Sequence, residues 1–194
     1  MKKLSIVFGP PLSGKTTFAK SNSQFHHISL RKKCNSISKK SGYIPRFVAS
    51  SIEYNTFMPS YLLLPLVFEN EFTNENQESL LDGYPKYSHE VDPLLYWCSI
   101  NQVQLANLYL LNPSLETLLE RLKNRFTCSS CYLSLQSSNR CICGGTVFVR
   151  KEDSVDYFVQ RYERYQENSV ITIESLSSSL SGGIVNVYTC CLVV

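Results

Sequence analysis

The stretch Leu4-Ser5-Ile6-Val7-Phe8-Gly9-Pro10-Pro11-Leu12-Ser13-Gly14-Lys15-Thr16-Thr17-Phe18-Ala19-Lys20 stands near the amino terminus. Its first five residues are an apolar run that reads as a buried strand, and Thr17-Phe18-Ala19-Lys20 continues a helix. Between them, residues 9–16 fit the spacing G-x-x-x-x-G-K-[ST] in the strand–loop–helix setting that this pattern requires. In such a loop the backbone N–H groups turn inward around a polyphosphate, and the helix amino terminus adds partial positive charge at the same place. Lys15 reaches the outer phosphates and the Thr16 hydroxyl is placed to ligate Mg²⁺. The glycines let the backbone turn where a Cβ would clash. A glycine-containing turn with a surface lysine explains neither neighbour. Gly9, Pro10, Pro11, Leu12, Ser13, Gly14, Lys15, Thr16 and Thr17 are therefore the candidate donor-phosphate cradle.

Outward from this loop, strand-like and helical runs alternate. Strands are expected at residues 4–8, 26–29, ending at 82, at 104–111 and at 183–188. Helices are expected at 15–21, 59–69, 113–122 and from 153 to about 167. Leu115, Leu118, Leu119 and Leu122 recur at helical spacing behind the start signal Pro113-Ser114. Such alternation implies an α/β fold, a five-stranded parallel sheet flanked by helices on both faces. The Ser- and Gly-rich stretch 175–183 reads as a solvated loop.

The bulk numbers set limits. With 194 residues and 43% hydrophobic residues, the chain has material for one core domain with inserted lobes. A net charge of +3 is too small to argue for a nucleic-acid or membrane surface. The apolar run after Met1-Lys2-Lys3 is too short for a signal peptide, and no run is long enough to span a bilayer. A cytoplasmic protein is expected. Four of the eight cysteines cluster as Cys128-x2-Cys131 and Cys141-x-Cys143. In a reducing compartment this pattern reads first as a metal site. The others are Cys34, Cys98, Cys190 and Cys191.

A second string, Leu80-Leu81-Asp82-Gly83-Tyr84-Pro85-Lys86, puts a carboxylate at the end of a buried strand. That is where a P-loop enzyme holds the water shell of Mg²⁺. With this string the chain resembles adenylate kinase of the long-lid, zinc-bearing kind, whose phosphate loop is followed by Asp-Gly-Phe-Pro-Arg. Glu120-Arg121-Leu122-Lys123-Asn124-Arg125 resembles the family's lead into its lid. Val149-Arg150-Lys151-Glu152-Asp153 resembles the exit, with Arg161 at the family's spacing and Tyr165 on the same helix face. The resemblance runs from about residue 3 to about residue 190. It implies a core at 1–29, 68–125 and 150–194, a monophosphate-binding lobe at 30–67 and a lid at 126–149.

The activity it implies is transfer of a phosphoryl group from ATP to a nucleoside monophosphate, AMP first, with Mg²⁺ and without a covalent phospho-enzyme. Such transfer is positioning and charge stabilisation. Lys15, Arg125, Arg150 and Arg161 are the candidates for the phosphates, because arginine forks bind two oxygens and stay charged. Arg121 would pack on the donor base. Arg31, Gly83, Tyr84, Lys86 and Glu90, with Arg150 and Arg161, would form the acceptor site. Thr16 and Asp82 would hold Mg²⁺, partly through water. Structural Zn²⁺ on Cys128, Cys131, Cys141 and Cys143 would hold together a lobe too small to bury a core, with Gly144-Gly145 turning the chain back near the metal. Expected partners are ATP and the monophosphate, with no nucleic acid and no membrane, and the expected state is a monomer.

Departures from the family pattern fall mostly in the acceptor lobe. The family's Ile-Ser-Thr-Gly-Asp-x-x-Arg is Ile28-Ser29-Leu30-Arg31-Lys32-Lys33 here, leaving Arg31 or Lys32 for the acceptor phosphate. Lys86 replaces an arginine, Glu90 falls on the base-reading glutamine, and Leu12 stands at a usual glycine. The second cysteine pair is C-x-C where the family has C-x2-C or C-x2-D. The family's terminal helix and donor-base loop are not found in the chain. Two rival readings follow: a kinase for CMP, UMP or GMP, and a degenerate ATP-binding protein with little transfer activity.

Overall fold

Leu4, Ile6, Val7 and Phe8 are all buried although they alternate between the two faces of their strand, the signature of a central strand covered on both sides. The computed structural model describes residues 1–54, 56, 58–74, 76–131, 133–135, 140–180 and 185–188. Strand β1 (Lys2–Phe8) leads through the phosphate loop into α1 (Lys15–Ser21), then β2 (His26–Ser29). Three helices follow, α2 (Leu30–Ser38), α3 (Tyr43–Glu53) and α4 (Ser60–Phe68). The chain returns through β3 (Ser79–Asp82), α5 (Val91–Ile100), β4 (Val103–Leu111) and α6 (Leu115–Lys123). Three short strands come next, β5 (Phe126–Cys128), β6 (Ser134–Leu135) and β7 (Val147–Phe148). Helix α7 (Val155–Ser178) and strand β8 (Val185–Tyr188) complete the described elements.

The main sheet has five strands in the order β2-β3-β1-β4-β8, every neighbour parallel. This is the α/β architecture expected. The chain enters at the middle strand and visits both sides, which makes the carboxyl ends of the central strands the natural ligand crevice. Register puts Asp82 beside Val7 on one side and beside Ser29 on the other. The acidic residue thus reaches the same edge as the phosphate loop. One face of the sheet packs Leu4, Ile6, Phe8, Ile28, Leu81 and Leu108 against residues of α4, α5 and α7, such as Leu64, Leu94 and Leu176. The other packs Val7, Leu80 and Leu111 against Phe18, Ala19 and Phe25. Each fully buried leucine contributes roughly 1.5–3 kcal/mol of hydrophobic stabilisation.

Helix α7 corrects one expectation. Residues 175–178 are helical, not a loop. Serine costs little here because its hydroxyl bonds back into the helix: Ser175 Oγ donates to Ile171 O at 2.8 Å and Ser177 Oγ to Ile173 O at 2.7 Å. Leu176, fully buried, anchors the last turn. The rest of that stretch from 181, and Cys190 and Cys191, lie outside the described residues. Helices α2, α3 and α5 were not among the expected elements.

The short strands form a separate antiparallel sheet, β6-β5-β7, pairing Phe126 with Leu135 and Cys128 with Val147. No helix among the described residues is long and apolar enough to cross a membrane.

Candidate active site

Gly9 lies so close to β4 that an added Cβ would come within 2.5 Å of Leu111 O and 2.9 Å of Ser13 Oγ. Gly14, at φ 93°, is the left-handed residue from which α1 starts. Leu12 is also left-handed, at φ 68°. For a residue with a Cβ this costs about 1–2 kcal/mol. Packing of its side chain against the cluster of Leu118, Leu122 and Phe158 offsets that cost. A leucine is thereby tolerated at a position where glycine is usual. Arg121 clamps the same turn from α6, its Nη1 donating to Leu12 O at 3.0 Å.

Lys15 closes the loop on itself. Its Nζ donates to Gly9 O at 2.8 Å, Pro10 O at 2.7 Å and Ser13 Oγ at 3.2 Å. These are the donors that the loop could offer to an entering phosphate. Burial lowers the Lys15 ammonium to about 8; Asp82 opposes the shift, and the charges of Arg125, Lys86 and Arg161 add to it. Cations from three separate stretches of the chain thus bear on the charge of Lys15.

A second corner beside the loop is built from α1 and β3. Thr16 Oγ1 donates to Asp82 Oδ2 at 2.6 Å. His27 on β2 brings Nε2 to 3.4 Å from the same oxygen, and this nitrogen is buried with no hydrogen-bond partner among the described residues. Burial alone would raise the Asp82 carboxyl. The neighbouring imidazole, the Lys15 charge and the Thr16 hydroxyl outweigh it and hold the carboxyl below its ordinary range. A hydroxyl beside an ionised carboxylate, with an orphaned nitrogen next to it, suits a hydrated divalent cation.

Asp153 is the hub that organises the arginines. Its carboxylate, fully buried, takes Arg150 Nε at 2.9 Å and Nη2 at 3.0 Å, Arg125 Nη1 at 3.3 Å, and has Arg161 Nη2 at 3.7 Å. Three guanidinium groups from residues far apart in the chain are thus drawn to one point. Asp153 stood in the string that resembles the lid exit but was not among the candidate site residues. Its spacing of three residues from Arg150 was the available signal.

At the turn after β3, Gly83 stands at φ 95°, where an added Cβ would lie 3.5 Å from Leu30 Cβ at the start of α2. The Tyr84 hydroxyl lies 2.9 Å from both Ser60 Oγ and Glu90 O, tying α4 to this turn. Lys86 is exposed, yet close enough to Cys34 of α2 and to Lys15 to act on both. Glu90 is buried, its Oε2 accepting from the Lys86 N–H at 2.6 Å and the Tyr87 N–H at 3.2 Å. That oxygen caps the turn. Arg31 is exposed on the first turn of α2.

The four clustered cysteines come together, their sulfur atoms all within 4.8 Å of one another. Cys128 and Cys143 are 3.4 Å apart and Cys131 and Cys141 3.5 Å. Tetrahedral zinc with bonds of about 2.3 Å needs sulfurs a little under 4 Å apart, so the set fits. The N–H groups of Cys131 and Ser130 pull the Cys128 thiol down to about 6, with burial acting against them. At Cys141 the N–H of Cys143 also lowers the thiol, but burial and the three neighbouring sulfurs push it up to about 12. Four thiolates at this spacing need a cation. Gly145 is required for close approach, since a Cβ there would meet Cys128 Sγ at 2.5 Å.

No family profile matches the chain. Whole proteins do, and they define its class: the chain is a phosphotransferase with a phosphate group as acceptor. It is 27% identical to an adenylate kinase of Mycoplasmopsis pulmonis, over 87% of the chain and 84% of that protein. It is 29% identical to an adenylate kinase of Clostridium beijerinckii, with 87% and 84% covered, and 28% identical to one of Fervidobacterium nodosum, with 87% and 83% covered. The chain is thus similar to adenylate kinases over most of its length, at 27–29% identity.

Proposed function

We propose that this protein is an adenylate kinase, transferring the terminal phosphoryl group of ATP directly to AMP to give two ADP. The observation that carries the reading is the loop closed by Lys15 beside the Thr16–Asp82 pair, together with the gathering of Arg125, Arg150 and Arg161 around Asp153. Residues 9–17 cradle the donor phosphates, and Arg121 lies against the donor base as well as the loop. Mg²⁺ at Thr16 and, through water, Asp82 would neutralise charge on the outer phosphates. Lys15, Arg125, Arg150 and Arg161 stabilise the charge that spreads over the transferred group. Fixed donors in a water-poor cleft act without reorganisation at the moment of transfer.

In this reading residues 30–67 are the acceptor lobe and 126–149 the lid, which brings Arg125 and Arg150 at its two roots over the loop. Cys128, Cys131, Cys141 and Cys143 would hold structural zinc within the lid. Arg31 and Lys86 meet the acceptor phosphate, and Gly83, Tyr84 and Glu90 shape the floor beneath it. A cytoplasmic monomer accompanies this function.

A second reading, a kinase for CMP, UMP or GMP, is favoured by the point charge of Lys86 and by Glu90, whose Oε2 is already committed to backbone N–H groups. A coupled spectrophotometric assay across AMP, GMP, CMP and UMP with ATP separates the two. AMP turnover well above the rest supports the first reading. Turnover with none of the four leaves an ATP-binding protein without transfer.

A further inference from the structure

The net charge of +3 conceals how charge is distributed. Residues 1–52 hold ten lysines and arginines and no acidic residue, while the other 142 hold nine against sixteen. Six of the ten, Arg31, Lys32, Lys33, Lys39, Lys40 and Arg46, stand on α2, α3 and the turn between them. Lys33 is paired with Glu71. Lys40 and Arg46 are exposed, and this hairpin has no acid before Glu53, the last residue of α3. Like charge at this density repels itself and is relieved by a polyanion.

The same tip carries exposed aromatic surface. Tyr43 is 91% exposed and Phe47 43%, whereas Val48 is buried. Tyr43 and Phe47 are four residues apart and share one face of α3. With Ile44, Met58, Leu62 and Leu66 they line an apolar groove of about 170 Å³ between α3 and α4. All of these residues lie within 30–67, the lobe assigned to the acceptor, but none is among the side chains assigned to the phosphates, the bases or the metal.

We propose that the tip of the α2–α3 hairpin binds single-stranded nucleic acid. Lys40 and Arg46 neutralise phosphates, and Tyr43 and Phe47 offer stacking surfaces at the mouth of the groove. Cations beside exposed rings are the usual device for holding a single strand without reading its sequence. An anionic membrane attracts cations too, but shallow insertion uses an apolar face that enters the acyl boundary. Here the apolar side chains line a recess, and the most exposed of them is a tyrosine.

The test is fluorescence anisotropy of a labelled oligouridylate of about 16 nucleotides with the full chain at low and moderate salt. Binding should weaken as salt rises, by a log–log slope of about 0.7 per phosphate neutralised. Lys40→Glu with Arg46→Glu should reduce affinity at least about tenfold and flatten that slope. Tyr43→Ala with Phe47→Ala should reduce affinity by about tenfold and leave the slope unchanged. Circular dichroism and thermal melting of both variants should match those of the parent, which shows that they fold. The parent's binding should survive millimolar ATP. No salt-dependent binding, binding unchanged in both variants, displacement by ATP, or a preference for phosphatidylserine vesicles over the oligonucleotide would each overturn the proposal. The proposal does not depend on the kinase reading: binding without transfer rejects that reading alone, and transfer without binding rejects this one alone.

Discussion

The Thr16 hydroxyl donates to Asp82 Oδ2 across 2.6 Å, joining the first turn of α1 to the last residue of β3. The pair meets because β1 and β3 are adjacent and parallel, so the loop leaving one strand lies over the end of the other. Asp82→Asn keeps the size and one acceptor oxygen but removes the charge. Transfer should fall by about 100-fold at saturating Mg²⁺, with the metal concentration for half-maximal rate raised. Steady-state rates over a Mg²⁺ series measure both. An unchanged Mg²⁺ dependence would remove Asp82 from the metal site.

Lys15→Ala should lower transfer by at least about 100-fold, because a cation is lost from a largely desolvated site. The intact enzyme should show the same dependence through pH. With its ammonium lowered to about 8, Lys15 is charged below that pH and loses its proton above it. The specificity constant for ATP, which reports free enzyme, should be level below about pH 8 and then fall toward tenfold per unit. The rate at saturating ATP should be flatter, since bound phosphate holds the proton on lysine. A specificity constant that stays level to pH 9.5 would show that Lys15 does not titrate in this window.

Asp153→Ala should destabilise the fold by about 3–5 kcal/mol, because it leaves neighbouring guanidinium groups, among them the buried Arg150, without their carboxylate. For a chain of this size that corresponds to a fall in Tm of roughly 10 °C or more. Calorimetry at neutral pH checks it. Asp153→Glu should recover part of the loss, as the charge returns with altered reach.

The purified protein should carry one zinc per chain, measured by elemental analysis. Chelation should make Cys128, Cys131, Cys141 and Cys143 react quickly with a thiol reagent, mapped by peptide mass spectrometry. Cys98 should stay protected, since burial pushes its thiol up to about 12. The main sheet should remain folded because none of its pairings involves the cysteine lobe. Zinc-free protein from a preparation without chelators would refute the site.

Lys86→Ala should raise the KM for the monophosphate by at least about tenfold while changing that for ATP less than twofold, since one point charge on the acceptor phosphate is lost. Lys86→Arg should keep or raise activity by restoring a second donor. Glu90→Gln retains an acceptor for the Lys86 and Tyr87 N–H groups and should leave AMP use intact. It should harm GMP use if the carboxylate meets the base edge. Equal effects of Glu90→Gln on AMP and GMP would confine Glu90 to capping the turn.

Much of this protein was legible in its residues because the decisive signals are local. Gly9, Gly14, Lys15 and Thr16 carry their geometry in their spacing, since a strand–loop–helix unit is built from neighbouring residues. The same holds for β1 and β4, strands rich in apolar residues, and for the two cysteine pairs. Tertiary structure alone decided what depends on meetings between distant segments. Asp153 gathers Arg125 and Arg161 only once the ends of the small lobe and α7 converge. Leu12 is accepted in a left-handed conformation only because Leu118, Leu122 and Phe158 pack near it. Glu90 faces the backbone of its own turn, a direction that no residue type announces. The serines of 175–178 looked like a loop because their composition favours one; burial of Leu176 beneath them made the helix the lower free-energy choice, as packing outweighs intrinsic preference where an apolar side chain has a core to enter.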